Sequence, residues 1–435
     1  MSMKKYVGSV LIVVLLVSHA MAQDGLECLF SSATALLPPF GPSAVATGDL
    51  DADGDVDVVF TTGVEELTLF LNNGDGTFAP QQAIFGGTYN DAIQIADLDN
   101  DGDLDLAVAT LGSIVIRLNN GDATFQTEFV SVFDADYPEI LNQLEVGDFD
   151  NDGDVDLATI DTAVNPSVVV LLENDGAAGF TTLRQDFSGD SLACGDLDGD
   201  GDLDLTVATS SQLELRLNDG AGNFDSTIVA NNLGGTIREI TIGELFSNNQ
   251  AAEIVFTVSN PDMVAVAQLD VAAKNLEVVT SRSSFLRFSS PINPPLLTDI
   301  NGDGINELVV FDFQTTLLIE NTGTALGGEA TIDIGITSIG ASDLNGDGAP
   351  DLAIGGSSGN GNAALFLTRT QATGLVGDVN ADGTVNLLDI GPFVSAIVNI
   401  GVGSFCPAAD INGDGSIDLL DIGPLIDFLN NNSGG

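Results

Sequence analysis

The chain has 435 residues, in which 64 Asp and Glu stand against 10 Lys and Arg for a formal net charge of −54. Such acidity disfavours DNA, RNA or an anionic membrane surface as partners, because those need basic patches that displace counterions. A hydrophobic fraction of 44% argues against a chain too polar to fold, and the only histidine, His19, lies in the leader; histidine-dependent catalysis and histidine-ligated zinc are thereby excluded from the mature protein.

The N-terminus carries Lys4 and Lys5, the apolar run Val7 to Val17, and Ala20-Met21-Ala22 in small-x-small form. It predicts a signal peptide over residues 1–22, cleaved after Ala22, and hence a secreted, extracellular or surface-associated protein. The apolar run is short for a bilayer, so no membrane span is expected in the mature chain.

The first structured signal is Gly48 to Phe60, GDLDADGDVDVVF. Asp49, Asp51, Asp53, Asp55 and Asp57 fall at alternate positions around Gly54, the pattern of an all-oxygen calcium loop that turns sharply at its sixth place and runs into a strand. Carboxylates this dense repel one another unless a divalent ion sits between them, and a flexible all-oxygen cage favours calcium over magnesium.

The pattern recurs along the chain. Asp97, Asp99, Asp101, Asp103 and Asp105 flank Gly102; Asp148, Asp150, Asp152, Asp154 and Asp156 flank Gly153; Asp196, Asp198, Asp200, Asp202 and Asp204 flank Gly201. Two softer copies are Asp299, Asn301, Asp303, Ile305 and Glu307 around Gly304, and Asp343, Asn345, Asp347, Ala349 and Asp351 around Gly348. Between the copies that start at Asp196 and Asp299, Gly243 to Asn249 keeps the position but not the ligands, with Phe246 where the second carboxylate would stand. A blade without calcium is expected there.

Loops near residues 49, 97, 148, 196, 244, 299 and 343 give a period near fifty, each unit holding several short β runs. An all-β seven-bladed propeller is the reading, with four strands per blade. The first unit supplies Ala44 to Gly48, Val56 to Thr61, Leu67 to Asn72 and Phe78 to Phe85, and the last supplies only three runs. Cys28 to Pro39 is expected to complete the last blade and hide its edge. Asn72-Asn73-Gly74 and Asn119-Asn120-Gly121 read as tight turns, and the Phe residues after the turns, Phe78, Phe125, Phe180 and Phe224, as packing between blades.

These loops resemble the FG-GAP repeats of the integrin α-subunit propeller and the related VCBS repeats of bacterial surface proteins, over about residues 28–370. The resemblance implies a seven-bladed ring with calcium loops on one rim and leaves the bound partner open.

After residue 371 the period changes. Asp378, Asn380, Asp382, Thr384, Asn386 and Asp389 fit an EF-hand loop, and Asp410, Asn412, Asp414, Ser416, Asp418 and Asp421 repeat it. Thr384 and Ser416 would ligate through main-chain carbonyls. Helices are expected from Pro392 to Val398 and Pro424 to Leu429. The duplicated loop-helix text resembles a type I dockerin over residues 376–430, implying a calcium-folded plug that docks on a cohesin-like protein. Leu387, Leu388, Leu419 and Leu420 stand where cellulosomal dockerins commonly carry small hydroxyl residues, which leaves the partner open.

The expected layout is leader 1–22, propeller 23–370, linker 371–376, dockerin-like module 377–430 and a disordered tail 431–435, with about eight calcium ions. Of the three cysteines, Cys28, Cys194 and Cys406, the closing topology makes Cys28 with Cys406 the plausible pair. The preferred function is a secreted, calcium-dependent adhesion or recognition protein whose propeller binds a protein or polysaccharide and whose tail anchors it. No catalytic residue is assigned. The runner-up is a polysaccharide-degrading lyase or glycoside hydrolase carrying a dockerin, which a carboxylate pair could serve.

Overall fold

The computed structural model describes residues 30–368, apart from 37, 39–40, 63, 80–81, 88–91, 112, 127–129, 135–142, 163–165, 186, 225, 232, 234, 247–251, 261, 284–293, 302–303, 312–315, 322, 324–325, 333–335 and 357–362. The expected signal peptide, Cys28, Cys406, Asp303, the linker, both C-terminal loops with their helices and the tail all lie outside the described residues.

Among the described residues there is no helix, and the strands form seven four-stranded antiparallel sheets, taken here as blades one to seven. Strand β1 (Phe30–Leu36) precedes them and joins the last. Blade one is β2 (Val45–Gly48), β3 (Asp57–Thr61), β4 (Glu66–Phe70) and β5 (Gln82–Phe85); blade two is β6 (Ala92–Ala96), β7 (Asp105–Thr110), β8 (Ser113–Arg117) and β9 (Val130–Asp134). Blade three is β10 (Leu144–Gly147), β11 (Asp156–Asp161), β12 (Val168–Asn174) and β13 (Phe180–Arg184). Blade four is β14 (Ser191–Gly195), β15 (Asp204–Thr209), β16 (Gln212–Leu217) and β17 (Ser226–Asn231). Blade five is β18 (Thr236–Gly243), β19 (Glu253–Ser259), β20 (Met263–Asp270) and β21 (Asn275–Ser283). Blade six is β22 (Leu296–Thr298), β23 (Glu307–Phe311), β24 (Thr316–Asn321) and β25 (Leu326–Ile332). Blade seven is β26 (Ile336–Ser342), β27 (Asp351–Gly356), β28 (Ala363–Thr368) and, as its fourth strand, β1.

The closing contact is the one the sequence suggests: β1 runs antiparallel to β28, from Phe30 opposite Thr368 to Leu36 opposite Ala363. Two segments more than 300 residues apart thus share one sheet, and β28 is left without an open edge. First strands lie beside first strands: β2 touches β26 and β6, β10 touches β6 and β14, β14 touches β18, and β22 touches β26. Blades five and six meet where a Cβ on Gly243 would stand 2.7 Å from Leu297.

The second strand of each blade is apolar on both faces because each face meets a different neighbour. Val58 and Phe60 pack into the core shared with blade seven, while Val59 packs into the core shared with blade two. Leu106 and Val108 face blade one, and Ala107 and Ala109 face blade three. Continuous apolar runs rather than alternation follow from that sandwiching. The turn phenylalanines take the same role. Phe78 packs against the core shared with blade seven, where it meets Phe70 of its own blade edge-on at 6.3 Å between ring centroids, and Phe224 of blade four meets Phe149 of blade three at 6.4 Å.

Candidate metal centre

Each acidic loop connects the first strand of its blade to the second. The sixth-place glycines, Gly54, Gly102, Gly153 and Gly201, have φ of 95°, 95°, 97° and 97°, and Gly304 and Gly348 have 87° and 89°. A Cβ at any of these six would meet nothing within 4 Å, so glycine is needed for its backbone conformation and not for space. The fourth place is left-handed as well, at Ala52, Asn100, Asn151, Gly199 and Gly346.

Hydrogen bonds repeat from loop to loop. The first carboxylate accepts from the sixth-place N–H, as in Gly54 N to Asp49 Oδ2 at 3.0 Å, Gly201 N to Asp196 Oδ2 at 3.1 Å and Gly348 N to Asp343 Oδ2 at 2.8 Å. The fifth accepts from the seventh N–H, as in Asp55 N to Asp53 Oδ1 at 2.9 Å. What remains is a set of oxygens without a donor. Asp49 Oδ1, Asp51 Oδ1, Asp97 Oδ1, Asp99 Oδ1 and Asp198 Oδ1 are buried and accept no hydrogen bond among the described residues.

Carboxylates of these loops converge. Asp49, Asp51 and Asp53 offer carboxylate oxygens within 4.8 Å of one another, as do Asp97, Asp99 and Asp101; Asp148, Asp150 and Asp156; and Asp196, Asp198 and Asp204. Two oxygens on one calcium at about 2.4 Å can be at most about 4.8 Å apart, so this spread fits a single ion in each loop. Burial first, then repulsion from neighbouring loop carboxylates, holds Asp51, Asp99, Asp150 and Asp198 above the usual carboxylate range. A site that raises the pKa of its own acids suits a divalent cation.

The expected ligands divide into three kinds. First and third places converge in four blades, joined by the fifth in blades one and two and by the ninth in blades three and four. The seventh-place carboxylates, Asp55, Asp103, Asp154 and Asp202, stand outside these groups: a Cβ on Gly74 would touch Asp55, and Asp202 accepts from Asn151 Nδ2 at 2.7 Å. Asp152 and Asp200 also stand outside. The ninth-place acids carry structure as well. Asp57 Oδ2 accepts from Leu50 N at 2.9 Å and Oδ1 from Asn72 N at 2.8 Å, and Asp105, Asp156 and Asp204 repeat both bonds. Burial pushes Asp57, Asp105 and Asp156 up to about 6 and Asp204 to about 7.

In the softer loops the third-place amide turns to the ninth-place acid: Asn301 Nδ2 donates to Glu307 at 3.2 Å and Asn345 Nδ2 to Asp351 at 3.4 Å. Asp299 and Asp343 accept the glycine N–H as in the other loops. In blade five, Phe246 is buried in the core shared with blade six, and Glu253 accepts from Leu245 N and Phe246 N. The strap survives where the ligands do not.

Sequence reasoning missed one residue class. Asn72, Asn119, Asn174, Asn218 and Asn321 are buried, and each carboxamide ties two blades together. Their recurrence in step with the loops was visible, but it reads as turn chemistry until the neighbouring blade is in place.

Family models match an FG-GAP-like repeat at residues 49–108, 97–159 and 148–207, and a Dockerin type I domain at 376–430. No curated protein matches the chain. Among solved structures, BBS1N in complex with ARL6DN is similar at a TM-score of 0.54 and 13% identity, over 79% of this chain and 98% of that one. An Agrocybe aegerita lectin described as specific for non-reducing terminal N-acetylglucosamine is similar at 0.52 and 19%, over 72% and 85%. At these identities the likeness is one of fold.

Proposed function

We propose, for a chain that carries FG-GAP-like repeats and a C-terminal dockerin type I domain, a secreted, calcium-dependent recognition protein tethered through its dockerin. All seven sheets stand in this reading as blades of one ring, with up to six ions on its rim and two in the tail. The supporting observation is the convergence of loop carboxylates in four blades, with buried carboxylate oxygens that accept no hydrogen bond in three of them. The first- and third-place acids would hold the cation, with fifth- or ninth-place acids completing the set and the glycine turn keeping the loop closed. A bound divalent ion would neutralise the clustered charge. Rigid loops would then present the ring surface to a protein or polysaccharide, while the dockerin engages a cohesin-like partner.

Calcium added to chelated protein should raise the melting temperature by several degrees and bind at about eight sites, because a ligand specific to the native state stabilises it by mass action. An unchanged melting curve with no bound calcium would refute the reading. Capture of a cohesin by the intact chain, lost in chelator, tests the tether.

A further inference from the structure

We propose that four of the five buried asparagines couple neighbouring acidic loops, so that the loops of blades seven, one, two, three and four bind calcium as one cooperative row and that of blade six binds apart from it. The proposal rests on the calcium reading of the loops.

Asn119 shows the geometry. Its Nδ2 donates to Leu50 O at 2.7 Å, at the second place of the blade-one loop, and to Leu104 O at 3.0 Å, at the eighth place of the blade-two loop. Its main-chain N–H donates to Asp105 at 2.8 Å, and its Oδ1 accepts from Gly121 N at 3.2 Å. Every polar group of the carboxamide is therefore engaged, its Nδ2 with one bond on each of the two loops and its Oδ1 on the following turn. Leu50 lies between Asp49 and Asp51 and is fixed at both ends, its N–H by Asp57 and its C=O by the next blade. The same carbonyl also accepts from Ala123 N at 2.9 Å.

The arrangement repeats. Asn174 spans Leu98 O and Val155 O, Asn218 spans Phe149 O and Leu203 O, and Asn72 spans Leu344 O and Val56 O. Asn321 spans Leu245 O and Asn306 O. Two further side-chain bonds join adjacent loops, from Asn100 to Asp154 at 2.5 Å and from Asn151 to Asp202 at 2.7 Å.

The row has two ends. By strand register the corresponding place in blade five is Leu269 and in blade seven Thr368, neither of which has a carboxamide. Asn321 therefore joins the loop of blade six only to blade five, whose own loop lacks the acidic set. A cation that fixes the second-place carbonyl of one loop lowers the ordering cost of the next, since the same amide holds both.

Equilibrium calcium binding to the full chain tests this. Wild type should show a Hill slope above one for the row, with one rim site titrating separately from it. Asn174→Ala, which cuts the row between blades two and three, should lower the slope and raise the midpoint calcium concentration about five-fold. Asn321→Ala removes an equivalent clamp outside the row and should leave the slope unchanged, which a merely structural role for these residues would not predict. Asn218→Ala serves in place of Asn174→Ala if the latter does not fold. Calcium binding by independent sites in wild type, or equal loss of slope in Asn174→Ala and Asn321→Ala, overturns the coupling while leaving the calcium reading intact. No calcium binding overturns both.

Discussion

Asp51 and Asp57 belong to the same loop, and the structure gives them different tasks. Asp51 has a buried oxygen with no donor, whereas both oxygens of Asp57 accept main-chain N–H groups. Asp57→Asn should therefore destabilise the protein even in chelator, by about 1–3 kcal/mol, because its amide nitrogen cannot accept an N–H. Asp51→Asn should leave stability in chelator unchanged or raised, by relieving repulsion, and weaken calcium binding. Denaturant titrations with and without calcium separate the two, and identical behaviour would show the division to be wrong. The alternation of acids was legible in the sequence; their division of labour was not, since it depends on the N–H groups of Leu50 and Asn72 reaching Asp57 from opposite sides.

At the scale of the element, β1 matters beyond its length. It supplies the outer strand of blade seven and so covers the edge of β28. Deleting residues 30–36 should lower the melting temperature and expose a pairing edge, giving self-association in light scattering at concentrations where the intact chain is monodisperse. A monodisperse truncation with unaltered melting would show that closure contributes little. The sequence pointed to this strand because the last repeat was one β run short. The bounds of the other strands shifted by a few residues, as in the fourth run of blade one, where Phe78 makes only an isolated bridge to Asn72 and regular pairing begins at Gln82.

Across the whole molecule, pH and calcium should act against each other. Besides the ninth-place loop acids, Glu145 on β10 is raised by burial to about 7 and Glu239 on β18 to about 8. Glu239 accepts from Gln143 Nε2 at 2.7 Å and Ser191 Oγ at 3.1 Å. Each folded pKa lies above its unfolded value, so the folded state binds more protons; the associated stability is complete below about pH 4 and is lost as pH rises through about 6 to 8. In chelator the melting temperature should fall over that range, and Glu239→Gln should flatten the upper part of the fall. In calcium the fall should shrink or reverse, because metal and protons compete for the same loop oxygens. A chelated protein that gains stability from pH 5 to 8 would contradict this assignment.

The amino-acid sequence by itself determined the repeat, the position of each acidic loop and the loss of ligands in the fifth, because these depend on residue type and spacing within one blade. It also marked the C-terminal module, where the dockerin match falls on the residues expected. Only the tertiary structure decided which carboxylates converge, which brace the loop and which asparagines bridge neighbours. Convergence and bracing are set within one folded blade, by N–H groups such as those of Leu50 and Asn72 on Asp57; the bridges are set between blades, by contacts such as Asn119 with Leu50 and Asn72 with Leu344, and no local pattern encodes the carbonyl that a buried amide will meet.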